Sequence, residues 1–197
     1  MQVRLSVAAV IVMACCMVPG ARAESPTPDD VVKPIFGDTR GGKSYACFVR
    51  HYGAAHLARH RKQTVTEIRL LLTVEKVAED EQLNYSFAFN ASIRNKGRWE
   101  AYGSCGHAKL SETRGGAVDI GCAGDCEGGL ISVELVGASK PAVVRLDNLR
   151  VLRIGAPEKS RQLGGGDDGV FHLRRVSLSE CGSLMPKDDE LASAETR

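Results

Sequence analysis

Asn84-Tyr85-Ser86-Phe87-Ala88-Phe89-Asn90-Ala91-Ser92-Ile93-Arg94 alternates residue by residue. Tyr85, Phe87, Phe89, Ala91 and Ile93 fall on one side, and Asn84, Ser86, Ala88, Asn90, Ser92 and Arg94 on the other. Successive side chains of an extended chain point to opposite faces. Alternation over this length therefore specifies a strand with one face in a core and one in water. The same period relates Ile68, Leu70, Leu72 and Val74 to Glu67, Arg69, Leu71, Thr73 and Glu75, with Leu71 the one lapse. Ile131, Val133 and Leu135 alternate with Ser132 and Glu134. Shorter stretches of this kind are 45–52, 98–106, 116–122, 141–154 (room for two strands) and 170–176.

Turn chemistry separates these runs: Asn95-Lys96-Gly97, Thr113 to Gly116, Gly128-Gly129, Gly137 to Pro141, and Gly164 to Gly169. Regular strands with Gly-rich turns predict one all-β, antiparallel domain of about eight strands. A lipocalin-like barrel is favoured over a sandwich. Gly53 to Arg61 has room for two helical turns. Ser177-Leu178-Ser179-Glu180 reads as a capping box opening a short C-terminal helix.

The front of the chain reads differently. Arg4, an apolar run from Leu5 to Val18 and the small-residue exit Ala21-Arg22-Ala23 have the order of a secretory signal. Val12-Met13-Ala14-Cys15 loosely resembles a lipoprotein cleavage box, which would place a lipid on Cys15. The Ala-Arg-Ala exit fits better, so the expectation is a soluble periplasmic or secreted protein, with the lipoprotein as the alternative. The domain plan is then 1–23 signal peptide, 24–44 irregular N-terminal arm, 45–185 all-β domain and 186–197 polar tail.

Arg4 and Arg22 account for the whole formal charge of +2. The remainder is balanced and has no global electrostatic footprint for nucleic acid. At 43% hydrophobic and 25% charged the chain has a globular composition, which excludes wholesale disorder. Outside the leader no apolar run reaches the ~18 residues of a membrane helix, so an integral membrane protein is not expected.

Five cysteines follow the leader: Cys47, Cys105, Cys122, Cys126 and Cys181. An oxidising compartment favours disulfides, and an odd number leaves one thiol over. A turn centred on Thr113-Arg114 brings residues whose numbers sum to about 227 opposite one another, which faces Cys105 with Cys122. Cys105–Cys126 competes if the register slips by two. Cys126 is otherwise the free thiol. In a closed barrel the first and last strands are neighbours, which predicts a bridge from Cys47 to Cys181.

Catalytic and ligand motifs are present only in fragments. Gly37-Asp38-Thr39-Arg40-Gly41-Gly42-Lys43-Ser44 matches the phosphate-loop pattern, but that motif must sit between a buried strand and a helix N-terminus. Here Pro34 breaks the segment upstream and strands follow. Gly124-Asp125-Cys126-Glu127-Gly128-Gly129 is similar to the nucleophile loop of chymotrypsin-like proteases, and Ala54-Ala55-His56 to their histidine segment. Glu127, however, would set an acid against the developing oxyanion. His56 and His60 stand four apart, with His51 upstream, so the three are weak candidates for a transition-metal site, which needs a further ligand such as Cys, Asp or His107; no carboxylate lies between them as in H-E-x-x-H. Flanked by Arg59, Arg61 and Lys62, they equally make a solvated basic turn. Asp167-Asp168 and Asp125 with Glu127 lack the ligand spacing of a calcium loop and read as turn residues.

Taken in order, Ala46-Cys47-Phe48-Val49-Arg50, Ala54 to His60, Gly121 to Gly129, Val170-Phe171-His172-Leu173 and Leu178-Ser179-Glu180-Cys181 resemble a group of uncharacterised exported proteins of alphaproteobacteria. The resemblance spans about 45 to 182 and implies export; it assigns no catalytic residue and no cofactor. The functional expectation is a monomeric, non-catalytic periplasmic domain binding a small ligand or an envelope partner. The alternative is a metal- or thiol-dependent enzyme using Cys126 or the His51, His56 and His60 cluster.

Overall fold

The computed structural model describes residues 33, 35–37, 42–76, 83–106, 109–110, 118–125, 128–135 and 141–186. The predicted leader with Cys15, most of the arm, His107, Cys126, Glu127 and the tail beyond Pro186 lie outside these residues. Eleven strands form one antiparallel sheet. They are β1 (Lys43–His51), β2 (Val65–Lys76), β3 (Leu83–Ile93), β4 (Gly97–Cys105), β5 (Lys109–Leu110), β6 (Val118–Gly124), β7 (Leu130–Leu135), β8 (Ala142–Asp147), β9 (Leu149–Arg153), β10 (Ala156–Leu163) and β11 (Val170–Val176). Helix α1 (Ala54–Arg59) and two 3₁₀ segments, Gly166–Asp168 and Leu178–Leu184, accompany them, and Lys33, Ile35 and Phe36 are also helical.

Following the hydrogen bonds round the sheet gives β1–β2–β3–β4–β6–β7–β8–β11 and back to β1, an eight-stranded closed barrel. The expected barrel is therefore the fold. Closure happens at β4, which divides its free edge between two partners. Gly103–Cys105 pairs with β6, while Trp99 and Glu100 pair with β9. Gly103 permits the join, because a Cβ there would meet the Ala123 carbonyl oxygen of β6 and the Phe87 ring at 2.7 Å. The residues between Leu110 and Val118 lie outside the description, but β5 pairs with β6 through Lys109↔Asp119.

The interior is apolar. Phe48, Phe89, Phe171, Ile68, Leu70 and Leu72 point inward and are fully buried, with Ile120, Ile131 and Leu173 opposite them. Burying each such side chain contributes roughly 1.5–3 kcal/mol. Ile35 and Phe36 join this core, and the Phe36 ring lies 6.2 Å from that of Tyr85 at one end of the barrel. The core thus reaches back past residue 45 into the supposed arm. The other end is covered by the β9–β10 hairpin, whose Leu149, Val151 and Leu163 pack with Trp99.

Outside, β1 to β3 carry a second apolar patch of Cys47, Val49, Leu71 and Ala88. The segment Leu178–Leu184 lies on it as a strap, with Cys181, Leu184 and Met185 buried. The lapse at Leu71 is thereby explained. Its side chain leaves the barrel but enters this outer core. The predicted C-terminal helix is 3₁₀ instead, and Ser177 makes no side-chain cap; its hydroxyl bonds that of Ser179 at 2.7 Å. Three residues per turn align Leu178, Cys181 and Leu184 on one side, which suits a strap lying flat on a wall.

Two disulfides are formed. Cys47–Cys181 (S–S 2.04 Å) fastens the strap, and Cys105–Cys122 (S–S 2.09 Å) joins β4 to β6 at opposed positions. Elsewhere the wall faces outward with charged side chains such as Glu67, Arg145, Asp147 and Arg174. Apolar within and charged without is the reverse of the pattern of a barrel that meets lipid. No helix among the described residues is long and apolar enough to cross a membrane.

The stretch 141–154 holds two strands, as its length allowed, divided at Asn148, whose φ of 51° turns the chain. The strand that follows, β10, departs from expectation, with no apolar alternation to announce it.

Candidate functional site

Two recesses lie on the outer wall of the barrel. On β2, β3 and β4 the residues Thr73, Ser86 and Ser104 stand opposite one another, facing outward. The next outward row is Leu71, Ala88 and Tyr102. The strap crosses β1 to β3 and stops short of β4. A groove of about 620 Å³ remains between the strap residues Ser183 to Pro186 and a far bank made by Tyr102 and Asp125. Its volume lies in the range of roughly 300–1,000 Å³ usual for ligand sites. A second recess of about 380 Å³ shares Ser104 with it and continues over Ala123, Gly121 and Leu130. Leu130 is 55% exposed at that end.

Tyr102 is the most distinctive residue of the groove. It is 44% exposed, and its hydroxyl donates to Glu100 Oε2 at 3.0 Å. Its pKa is pushed up to about 12, first by burial and then by the hydrogen bond to Glu100 and that carboxylate's charge. The phenol therefore stays neutral, with its ring held in place by the bond. Asp125 sits beside it on the same bank, its backbone N–H donating to the Tyr102 carbonyl at 3.0 Å.

The described histidines join no group of three ligands. His51 ends β1 on the outer wall, with Nδ1 3.3 Å from Glu67 Oε2. His56 and His60 lie on and just after α1, stacked face to face at 4.2 Å, and His56 Nε2 bonds Gln63 Oε1 at 2.9 Å. Gln63 is itself committed to the Val65 carbonyl at 2.8 Å. Among the described residues no three His, Cys, Asp or Glu side chains gather as metal ligands. The phosphate-loop match also fails, since Lys43 and Ser44 open a strand rather than a helix.

Near α1 two groups are more specific than the sequence suggests. Tyr52 packs against His56 at 4.7 Å and Phe171 at 6.3 Å, with Arg50 5.3 Å from its ring centroid. Burial raises its pKa; Arg50 pulls it down by charge and hydrogen bonding, and Asp168 adds a smaller upward push. Asp168, expected to be a turn residue, is a buried carboxylate. Both its oxygens accept the Thr64 N–H at 3.0 Å; Oδ2 also accepts the Thr64 hydroxyl at 2.6 Å and Oδ1 the Val65 N–H at 3.1 Å. With its acceptor sites so engaged it works as a latch between the Gly-rich loop and the start of β2.

Sequence reasoning missed Tyr102, the groove it borders and Glu100, which holds its hydroxyl, and read Asp125 as a turn residue. A signal was present: Leu71 and Ala88 are apolar at outward positions, which is what a wall looks like where something covers it. No family model, curated protein or solved structure matches this chain.

Proposed function

We propose that this is an exported, non-catalytic β-barrel domain that binds a partner of the cell envelope through the groove on its outer wall. One observation carries the reading. The inside of the barrel is packed with Phe48, Phe89 and Phe171, while the groove beside the strap lies open. A lipocalin-like ligand chamber is therefore not part of the proposal. Two disulfides suit an oxidising compartment, and the order of residues 1–23 suits export.

The test places the photo-crosslinking residue p-benzoylphenylalanine at Ser86, in the groove, or at Glu158, on exposed β10, in cells that make the protein naturally. Irradiation should give an adduct of one discrete mass from position 86 and not from 158. Ser104→Trp, which fills the groove, should abolish it. No discrete adduct, or the same adducts from both positions, refutes the reading.

A further inference from the structure

We propose that the groove recognises a basic side chain, lysine or arginine, carried on an extended segment of a polypeptide partner; this rests on the groove being the binding surface. Charge complementarity carries the inference. Among its described lining residues Asp125 is the one charged side chain, and none is Lys, Arg or His. Beside it Tyr102 presents an exposed ring whose hydroxyl is tied to Glu100. An aromatic face attracts a cation through its quadrupole, and carboxylates at its edge and beside it act in the same direction. An anionic ligand would meet the opposite field.

The remaining surface fits the rest of such a segment. Leu71 and Ala88 form an apolar floor, and Leu184 and Met185 an apolar wall. Lysine and arginine bury methylene stems on surfaces of this kind while their heads stay wet, and aliphatic neighbours can share the floor. The hydroxyls of Ser86 and Ser104 lie where a passing peptide backbone can bond them.

The test uses a built-in reporter. Met185 is the only methionine after Met17, so methyl-labelled methionine puts one NMR signal on the groove wall, assigned with Met185→Leu. The full chain is titrated with acetyl-Leu-Lys-Leu-amide and with its norleucine analogue, which keeps the stem and removes the charge. The lysine peptide should shift the Met185 methyl signal saturably and bind about tenfold more tightly than the analogue. Tyr102→Leu and Asp125→Asn should each weaken the lysine peptide several-fold and leave the analogue unchanged, with Trp99 emission reporting an intact fold. Raising salt from about 0.05 to about 0.5 M should weaken only the lysine peptide. Equal binding of the two peptides overturns the inference, as does no saturable shift, or a shift with the neutral sugar maltotriose in place of the peptide. If the Ser86 cross-link forms while the lysine peptide fails, the basic-side-chain inference falls and the groove reading stands; if both fail, both fall.

Discussion

Asp168 Oδ2 accepts the hydroxyl of Thr64 at 2.6 Å across 104 residues of sequence. With the Thr64 and Val65 N–H groups on the same carboxylate, the loop before β11 is fixed to the start of β2. Asp168→Ala should therefore destabilise the protein by about 3 kcal/mol, because it leaves two backbone donors and a hydroxyl without their acceptor. Thr64→Val removes one bond to a charged group and should cost about 1.5 kcal/mol. Urea unfolding of both variants checks the ratio.

Leu71 is buried by the strap rather than by the barrel. Leu71→Ala should cost about 2–4 kcal/mol in the intact protein, as an interior leucine does. In a Cys47→Ser/Cys181→Ser background, where the strap is no longer fastened, that cost should drop by at least half. A double-mutant cycle on unfolding free energies measures the coupling. Additive costs would show that Leu71 is covered by something else.

The two disulfides close loops of very different length, with separations of 134 and 17 residues. The chain-entropy model gives at most about 5 kcal/mol for Cys47–Cys181 and about 3 kcal/mol for Cys105–Cys122. Replacing each pair by serine should lower the melting temperature in that order. Scanning calorimetry of the two variants decides it.

Tyr102 should titrate near pH 12, and Glu100→Gln should lower its pKa. A phenol with a raised folded-state pKa holds its proton more tightly in the native protein. Its contribution is thus complete below the ordinary tyrosine value of about 10 and is lost as pH rises from there through about 12. Absorbance at alkaline pH follows the phenolate, and Glu100→Gln should shift the steep part of the curve towards neutrality.

The parts of this fold that were legible are those where a single side of a strand meets a single core. Phe87 and Phe89 alternate with Ser86, Ala88 and Asn90 because one face of β3 is interior; on the other, Asn84 and Ser86 are exposed while Ala88 and Asn90 are buried. Cys105 and Cys122 could be paired by counting through a turn, because antiparallel register is arithmetic. Legibility failed where chain met chain at a distance. Residues Pro157 to Arg161 of β10 show no period, since their hairpin lies over the end of the barrel and most of it faces solvent. Asp168 looked like any turn aspartate, because its partners are backbone donors contributed by the far side of the sequence. The groove needed the strap, the closing strand β4 and the end of β6 together, and no local pattern contains all three.

The bond from Cys47 to Cys181 also decides how the molecule carries tension. Strand β1 begins four residues before Cys47, and the strap ends soon after Cys181. If the chain were pulled from its two ends, the load would pass through sulfur from one flank to the other, and nearly the whole barrel would lie in a side loop that is not stretched. Only the flanking segments could lengthen until that bond was reduced. A protein built in this way can be anchored at one end and loaded at the other without its barrel being drawn out of shape.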